Sequence, residues 1–313
     1  MKEYLLSYYK NFKCIAKECK HTCCAGWEMC IDERSLDAYR GVTGAFAPKL
    51  HSGIDYKKSR FKSDKAKSCA FLNQEGLCDI IINLGEDKLC QVCRDHPRFR
   101  SFLDDRVEMG LGFCCEEATR IILSYKEKIQ LNLIKDDKKE EPLEFNKKGV
   151  LEFRENALDI VQDRSISINE RINNLLRLCR ADIGERDYKK IVKTFLRFER
   201  LDKEWGKRLK GIRKRPFIRI LPEKLSLYAE QFLANGIYRH LLDAEDTMTV
   251  RGRAIAIIIS WWIVQAVFDS EILKSDDEFS LIVDVVRAYS AEVEYSQKNL
   301  DKLFDFSYGF IKL

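Results

Sequence analysis

The chain has 313 residues, 45% of them apolar, enough for about two domains with buried cores. With only 15 Gly and 5 Pro it is neither collagen-like nor of low complexity, and helices are favoured. Lys and Arg number 55 against 50 Asp and Glu, and a net charge of +5 does not by itself point to a nucleic-acid binder.

The opening residues, MKEYLLSYYKNFK, carry charges on both sides of a very short apolar run. A signal peptide needs a longer run and a small-residue cleavage site, so a cytoplasmic location is expected. Ser35 to Arg40 reads as a helix, and segments 69–72 and 77–84 read as short strands. Val107, Met109, Leu111 and Phe113 alternate with charged or small residues, which predicts a strand ending at Cys114-Cys115. Glu116 to Gln130 reads as a helix with two acids at its N-terminus. The charge-dense stretch 135–148, with Pro142, reads as a solvated linker.

Beyond it the pattern turns helical. Ile172, Leu175, Leu176 and Cys179 mark one face, and Leu225, Tyr228, Phe232 and Leu233 mark another. Leu281, Val285, Tyr289, Val293, Leu300 and Phe304 mark a long amphipathic stretch. The longest apolar run, Ala254 to Phe268, has 15 residues. A spanning helix needs about 20, so a buried core helix and no membrane span are expected. The fold class that follows is mainly α (α+β). Residues 1–130 form a small cysteine-rich domain with short strands, 131–149 a linker and 150–313 a helical domain.

Eleven of the 12 cysteines lie between Cys14 and Cys115, and only Cys179 lies beyond. The order is Cys14-x4-Cys19-x3-Cys23-Cys24, then Cys30, Cys69-x8-Cys78, Cys90-x2-Cys93 and Cys114-Cys115. Buried free thiols and the disulfides of a secreted protein are the plainer readings. So dense a set in a chain expected to stay in the cytoplasm favours a metal. A small domain with little regular structure also needs one to hold it together.

Thiolates are soft ligands that select zinc or iron–sulfur centres. Adjacent cysteines point in different directions, so one of each pair ligates while the other packs or serves a second centre. His96 follows Cys93 as C-x2-H, a zinc pattern that an exposed histidine produces equally well. Neither the ferredoxin run nor the C-x3-C-x2-C spacing of radical S-adenosylmethionine enzymes is present. All-cysteine ligation suits a [4Fe–4S] cluster, with zinc as the alternative.

Several motifs in order resemble the flagellin lysine-N-methylases. KNFKCIAKECKHTCCAGWEMCID is similar to that family's opening cysteine block, with Gly26-Trp27 after the Cys-Cys pair. CAFLNQEGLCDI and NLGEDKLCQVCRDHPR are similar to its middle blocks, and FCCEEATRIIL to the block closing the cysteine region. EQFLANGIYRHLL, the apolar helix after Arg251 and SAEVEYSQKNL extend the likeness through the second half. The resemblance implies S-adenosylmethionine-dependent methylation of flagellin lysines in the cytoplasm, and an iron–sulfur cluster in the cysteine domain. On matched positions it implies Cys14, Cys19, Cys23, Cys24, Cys69, Cys78, Cys93 and Cys115 as metal ligands. Cys30, Cys90 and Cys114 fall outside the pattern. The closing block reads Cys114-Cys115-Glu116-Glu117 where the family more often has Ser-Cys-Pro-Glu.

Methylating lysine requires the neutral amine, whose free pKa is about 10.4, so carboxylates or tyrosines must take up or orient its hydrogens. Asp32, Glu108, Glu117, Glu230, Glu292 and Glu294 are conceivable, with a solvated surface the expectation for each. No catalytic or S-adenosylmethionine-binding residue is singled out. Gly110-Leu111-Gly112 reads as a strand end, not a cofactor turn. Trp27 is expected to pack beside the metal loops. No redox step is required, so the metal is expected to be structural.

Lys189 to Arg219 carries 13 Lys and Arg against 3 acids and reads as a solvated face. Without a basic-aromatic motif, no nucleic-acid partner is expected. Three readings follow: a methyltransferase with a cluster, a non-catalytic metal-chelating adaptor, and a zinc-stabilised nucleic-acid binder. Motif order across both halves favours the first.

Overall fold

The computed structural model of the chain describes residues 2–64, 68–103, 106–136, 145–216 and 221–312. In chain order it begins with β1 (Lys2–Leu6), α1 (Glu33–Arg40), α2 (Ala47–Ser52), β2 (Ile54–Asp55) and β3 (Arg60–Phe61). Then come α3 (Asp79–Leu84), α4 (Gln91–Asp95), β4 (Arg98–Leu103), β5 (Arg106–Leu111), α5 (Glu116–Ser124) and β6 (Leu131–Asp136). The remainder is helical: α6 (Phe145–Val161), α7 (Ile168–Leu178), α8 (Glu185–Leu196), α9 (Lys203–Ile212), α10 (Ser226–His240), α11 (Thr247–Glu271), α12 (Glu278–Glu292) and α13 (Gln297–Tyr308). The chain is thus mainly α with a small mixed sheet, as the composition predicts.

Two compact units result. One is Lys13–Arg98 with Cys115–Glu117; the other is Met1–Phe12, Phe99–Cys114 and Ala118–Leu313. This division differs from the expected boundary near residue 130, and the sheet is the reason. Its order is β4-β5-β1-β6, with β1 parallel to β5 and antiparallel to β6. Strand pairing therefore builds the first twelve residues, and those from 99 to 114, into the helical unit. The expected linker opens with β6 and closes with α6; its middle, 137–144, lies outside the described residues.

Within the helical unit, α11 is the central element. Ala254 to Val264 are buried without interruption, and Ser260 satisfies its hydroxyl on the Ala256 carbonyl. Helix Thr247–Lys274 is long and apolar enough to cross a membrane, yet 72% of its most apolar window is buried inside the protein. That is the pattern of a core helix, and each fully buried Ile or Val contributes roughly 1.5–3 kcal/mol. Phe232 of α10 packs on Trp261, Tyr289 and Phe113, with ring centroids 5.2–5.8 Å apart. Ser167 starts α7 in a capping box with Glu170, and the buried Cys179 ends it.

Three local readings change. Residues 79–84 form α3 rather than a strand, since a short apolar run is ambiguous between the two. Asn83 bonds back to the Asp79 carbonyl, and Gly85 ends the helix at φ 99. α5 stops at Ser124 because the following carbonyls of Tyr125 and Glu127 are taken by Gln231 of α10. The long amphipathic stretch is two helices, α12 and α13. Tyr295 N–H bonds back to the Ser290 carbonyl, and Ser296 caps α13 by accepting from Asn299 N–H.

A thiol-rich candidate metal centre

The cysteine unit is organised by its small core, in which Tyr39, Leu50, Phe61, Phe71 and Ile80 pack together. Asp32 is structural here. One carboxylate oxygen caps α1 through Ser35 N–H at 2.9 Å, and the other accepts from Gln91 N–H at 2.7 Å, at the start of α4. Burial pushes its carboxyl up, but the Gln91 and Ser35 N–H groups outweigh that and hold it below the usual range. Tyr39 donates to the Lys88 carbonyl at 2.7 Å, which fixes the loop entering α4.

Five thiols belong to this core: Cys69 and Cys90 are buried in it, and Cys24, Cys78 and Cys93 pack against it. Backbone pairing puts them there. Cys69 N–H donates to the Cys24 carbonyl at 2.8 Å, and Cys78 bridges Leu72. Cys90 and Cys93 share a thiol hydrogen bond, which lowers the Cys90 thiol and raises that of Cys93. Burial pushes Cys69 up to about 12, with the charges of Cys24, Cys78 and Cys90 adding to the effect.

A second set stands outside this core. The Cys19 thiol donates to the His21 carbonyl at 3.2 Å and lies 3.7 Å from the Glu116 carboxylate. Glu116 also accepts from the N–H groups of Lys20 at 2.9 Å and His21 at 3.3 Å. Burial pushes the Cys19 thiol up to about 11, and Glu116 and Cys115 beside it add to the effect. Cys23 is raised first by its hydrogen bond with Cys24, then by burial and by Cys24, Cys115 and Cys14. Cys24 is lowered to about 7 by the same bond, against burial.

Every cysteine carried over from the resemblance therefore lies in this unit. Cys90, which falls outside that pattern, joins Cys93 in the core; its burial was the one signal sequence reasoning lacked. Cys30 is exposed. Cys114 belongs to the helical unit, where its charge acts on Arg239 and Tyr295. Trp27 packs against the core, donates its indole N–H to the Cys23 carbonyl at 2.8 Å and stacks on His96 at 6.4 Å. Burial pushes His96 down to about 4, so the ring is neutral at physiological pH.

Among the described residues no three His, Cys, Asp or Glu side chains are gathered closely enough to hold a metal ion as they stand. The donor chemistry still fits zinc or an iron–sulfur cluster: soft thiols in neighbouring groups, walled by apolar side chains.

The candidate carboxylates are not a solvated surface. Glu108 is held by Arg154, and Glu230 by Arg164 and Arg171. Glu292 takes Arg200 at 2.6 Å together with the N–H groups of Leu201 and Asp202. Glu294 accepts from Arg239, His240 and Ser290. Glu117 is also buried. An unpaired buried carboxylate is costly, so these partners are structural in the first place. Part of the basic stretch is likewise used internally: Arg208 pairs with Asp284 and Glu271, and Arg215 bonds the carbonyls of Asp269 and Ser270. Arg219 lies outside the described residues.

Two cavities of the helical unit are small. One, beside His240, Glu294 and Tyr289, has about 10 Å³, room for a single water. The other, lined by Tyr188, Arg215, Pro216, Ala266 and Asp269, has about 190 Å³. Cofactor pockets run to about 300–1,000 Å³. Neither cavity is large enough for S-adenosylmethionine.

The chain is similar to three Salmonella proteins. Flagellar biosynthetic protein FliU of Salmonella muenchen is 25% identical over 126 residues, covering 38% of this chain and 75% of FliU. The lysine-N-methylases of Salmonella choleraesuis and Salmonella typhimurium are 24% and 25% identical over 126 and 127 residues. Those matches also cover 38% of this chain, but only 31% of each methylase. No family model and no solved structure matches.

Proposed function

We propose that this chain is a protein-lysine N-methyltransferase that modifies flagellin side chains with S-adenosylmethionine, and that its cysteine unit carries a [4Fe–4S] cluster. The observation carrying the reading is the similarity to two lysine-N-methylases and a flagellar biosynthetic protein. The thiol groups of the cysteine unit support the metal. S-Adenosylmethionine would supply a methyl group on a sulfonium, and the lysine amine must arrive deprotonated. No electron carrier is demanded by that displacement, so the cluster's role is to hold together a unit with a small core.

The test is incubation of purified, iron-loaded protein with flagellin and labelled S-adenosylmethionine. Label on flagellin lysines is the expected result. Its absence with a fully metallated chain favours the second reading, a non-catalytic metal-chelating adaptor binding iron–sulfur or zinc. One observation speaks for that alternative: the match spans under a third of each methylase.

A further inference from the structure

We propose that the cavity at the C-terminal end of α11 is a binding site for a small aliphatic α-amino acid, taken up as its zwitterion. The cavity belongs to the helical unit alone and does not rest on the methylation reading. Its volume is about 190 Å³, and its walls are Tyr188 of α8, Arg215 and Pro216 after α9, and Ala266 and Asp269 of α11. At about 30 Å³ for each water, that is room for roughly six waters, and so for a molecule of about six to eight non-hydrogen atoms. Ala266 and Asp269 are three residues apart and share one face of α11. The small Ala266 side chain keeps the space beside the carboxyl open. Tyr188 is buried, and its hydroxyl donates to the Ile212 carbonyl at 3.4 Å, which leaves the ring as an apolar wall.

The two charges that line the cavity are not spent on each other. Arg215 donates from two nitrogens to the carbonyls of Asp269 and Ser270, each at 3.3 Å. Those carbonyls belong to the last turn of α11, where intrahelical partners run out. The bonds hold the guanidinium in place and use two of its five N–H groups. Among the described residues no ion pair joins Arg215 to the Asp269 carboxylate, although each feels the other's charge. Burial raises the Asp269 carboxyl above its ordinary 3.8, and Gln265, Arg215 and Lys224 oppose that without overcoming it. Lys224 is itself paired with Glu278 at 2.7 Å. A ligand ammonium beside Asp269 and a ligand carboxylate on Arg215 complete both groups at once. An amine alone would meet Asp269 but also the charge of Arg215, and a carboxylate alone would face Asp269. The aliphatic part of the ligand then lies against Tyr188, Ala266 and Pro216.

The test titrates valine into the full-length chain, read by calorimetry and ligand-observed NMR. Isovalerate, which lacks the ammonium, and isobutylamine, which lacks the carboxylate, are run beside it. Valine should bind, and each half-molecule should bind about ten- to a hundredfold more weakly, the worth of one charge-assisted hydrogen bond. Asp269→Asn should weaken valine by a similar factor, and Ala266→Leu, which fills the cavity, should abolish binding. In the wild type, valine should slow hydrogen exchange at 266–271. No valine binding at millimolar concentration overturns the site. So does a half-molecule that binds as tightly as valine, or wild-type protection confined to other segments. A variant that melts like the wild type and binds valine at full affinity overturns it as well. Where a variant does not fold, the wild-type exchange result decides. Methylation of flagellin is measured separately and does not enter this test.

Discussion

Arg154 of α6 forks onto Glu108 of β5 through two hydrogen bonds of 2.6 and 2.9 Å, and both side chains are at most 3% exposed. The pair fastens the sheet to the helix that closes the charge-dense stretch 135–148. Removing Arg154 leaves the buried Glu108 only the longer 3.6 Å contact with Arg106. Arg154→Ala is expected to cost about 3–5 kcal/mol in urea denaturation. A loss below about 1 kcal/mol would show that water reaches the pair.

Acid should weaken the helical unit in two stages. Burial pushes the His240 ring below its ordinary 6.5, so the unfolded chain binds the proton first and stability falls as pH drops below 6.5. Burial opposes ionisation of Glu294, but Arg239, His240 and Ser290 prevail and hold it at about 2 against an ordinary 4.5. Its contribution is present above 4.5 and is lost as pH falls from there towards 2. Denaturant melts between pH 7 and 3 should show both steps, and Glu294→Gln should flatten the lower one. A stability independent of pH over that range contradicts the assignment.

Gly112 stands where a side chain would collide with the Arg239–Tyr295 pair. An added Cβ would sit 2.8 Å from the Arg239 guanidinium and closer still to the Tyr295 hydroxyl. Arg239 also lies over the rings of Tyr295 and Phe99, 4.7 and 5.6 Å from their centroids, which limits its retreat. Gly112→Ala should cost about 1–3 kcal/mol. By moving Arg239 away from Glu294 it should also shift the low-pH step upward. A thermal melt and a pH titration of the variant check both effects.

Ser167→Ala removes one half of the capping box on α7, where Ser167 accepts from Glu170 N–H and Glu170 accepts from Ser167 N–H. About 1 kcal/mol of stability should be lost. Hydrogen exchange in the first turn of α7 should rise more than at its buried Leu175 and Leu176.

The helices were legible wherever their apolar spacing was long: Ile172 to Cys179, Leu225 to Leu233 and Ala254 to Phe268 all face a core. The β5 strand was legible from the alternation at Val107, Met109 and Leu111. The run at 77–84 was not, because six residues do not separate period 2 from period 3.6. Nor was the partner of the opening strand, since nothing local in Lys2–Leu6 names Arg106–Leu111 as its neighbour. The buried carboxylates were misread for the same reason. Glu108, Glu230 and Glu294 look solvated until arginines 46, 66 and 55 residues away close on them. Spacing placed the thiols in one region, but it does not reveal that the chain returns from Cys24 to Cys69, whose N–H donates to the Cys24 carbonyl.

Lys2 is paired in register with Arg106, so the strand that begins the sheet waits for one made much later. At synthesis rates of about 5–20 residues per second, that wait lasts on the order of 5–20 seconds. Nearly all of the cysteine unit emerges in the interval, tethered at both ends to strands that have not yet met. Any cofactor it captures can thus be loaded before the sheet closes.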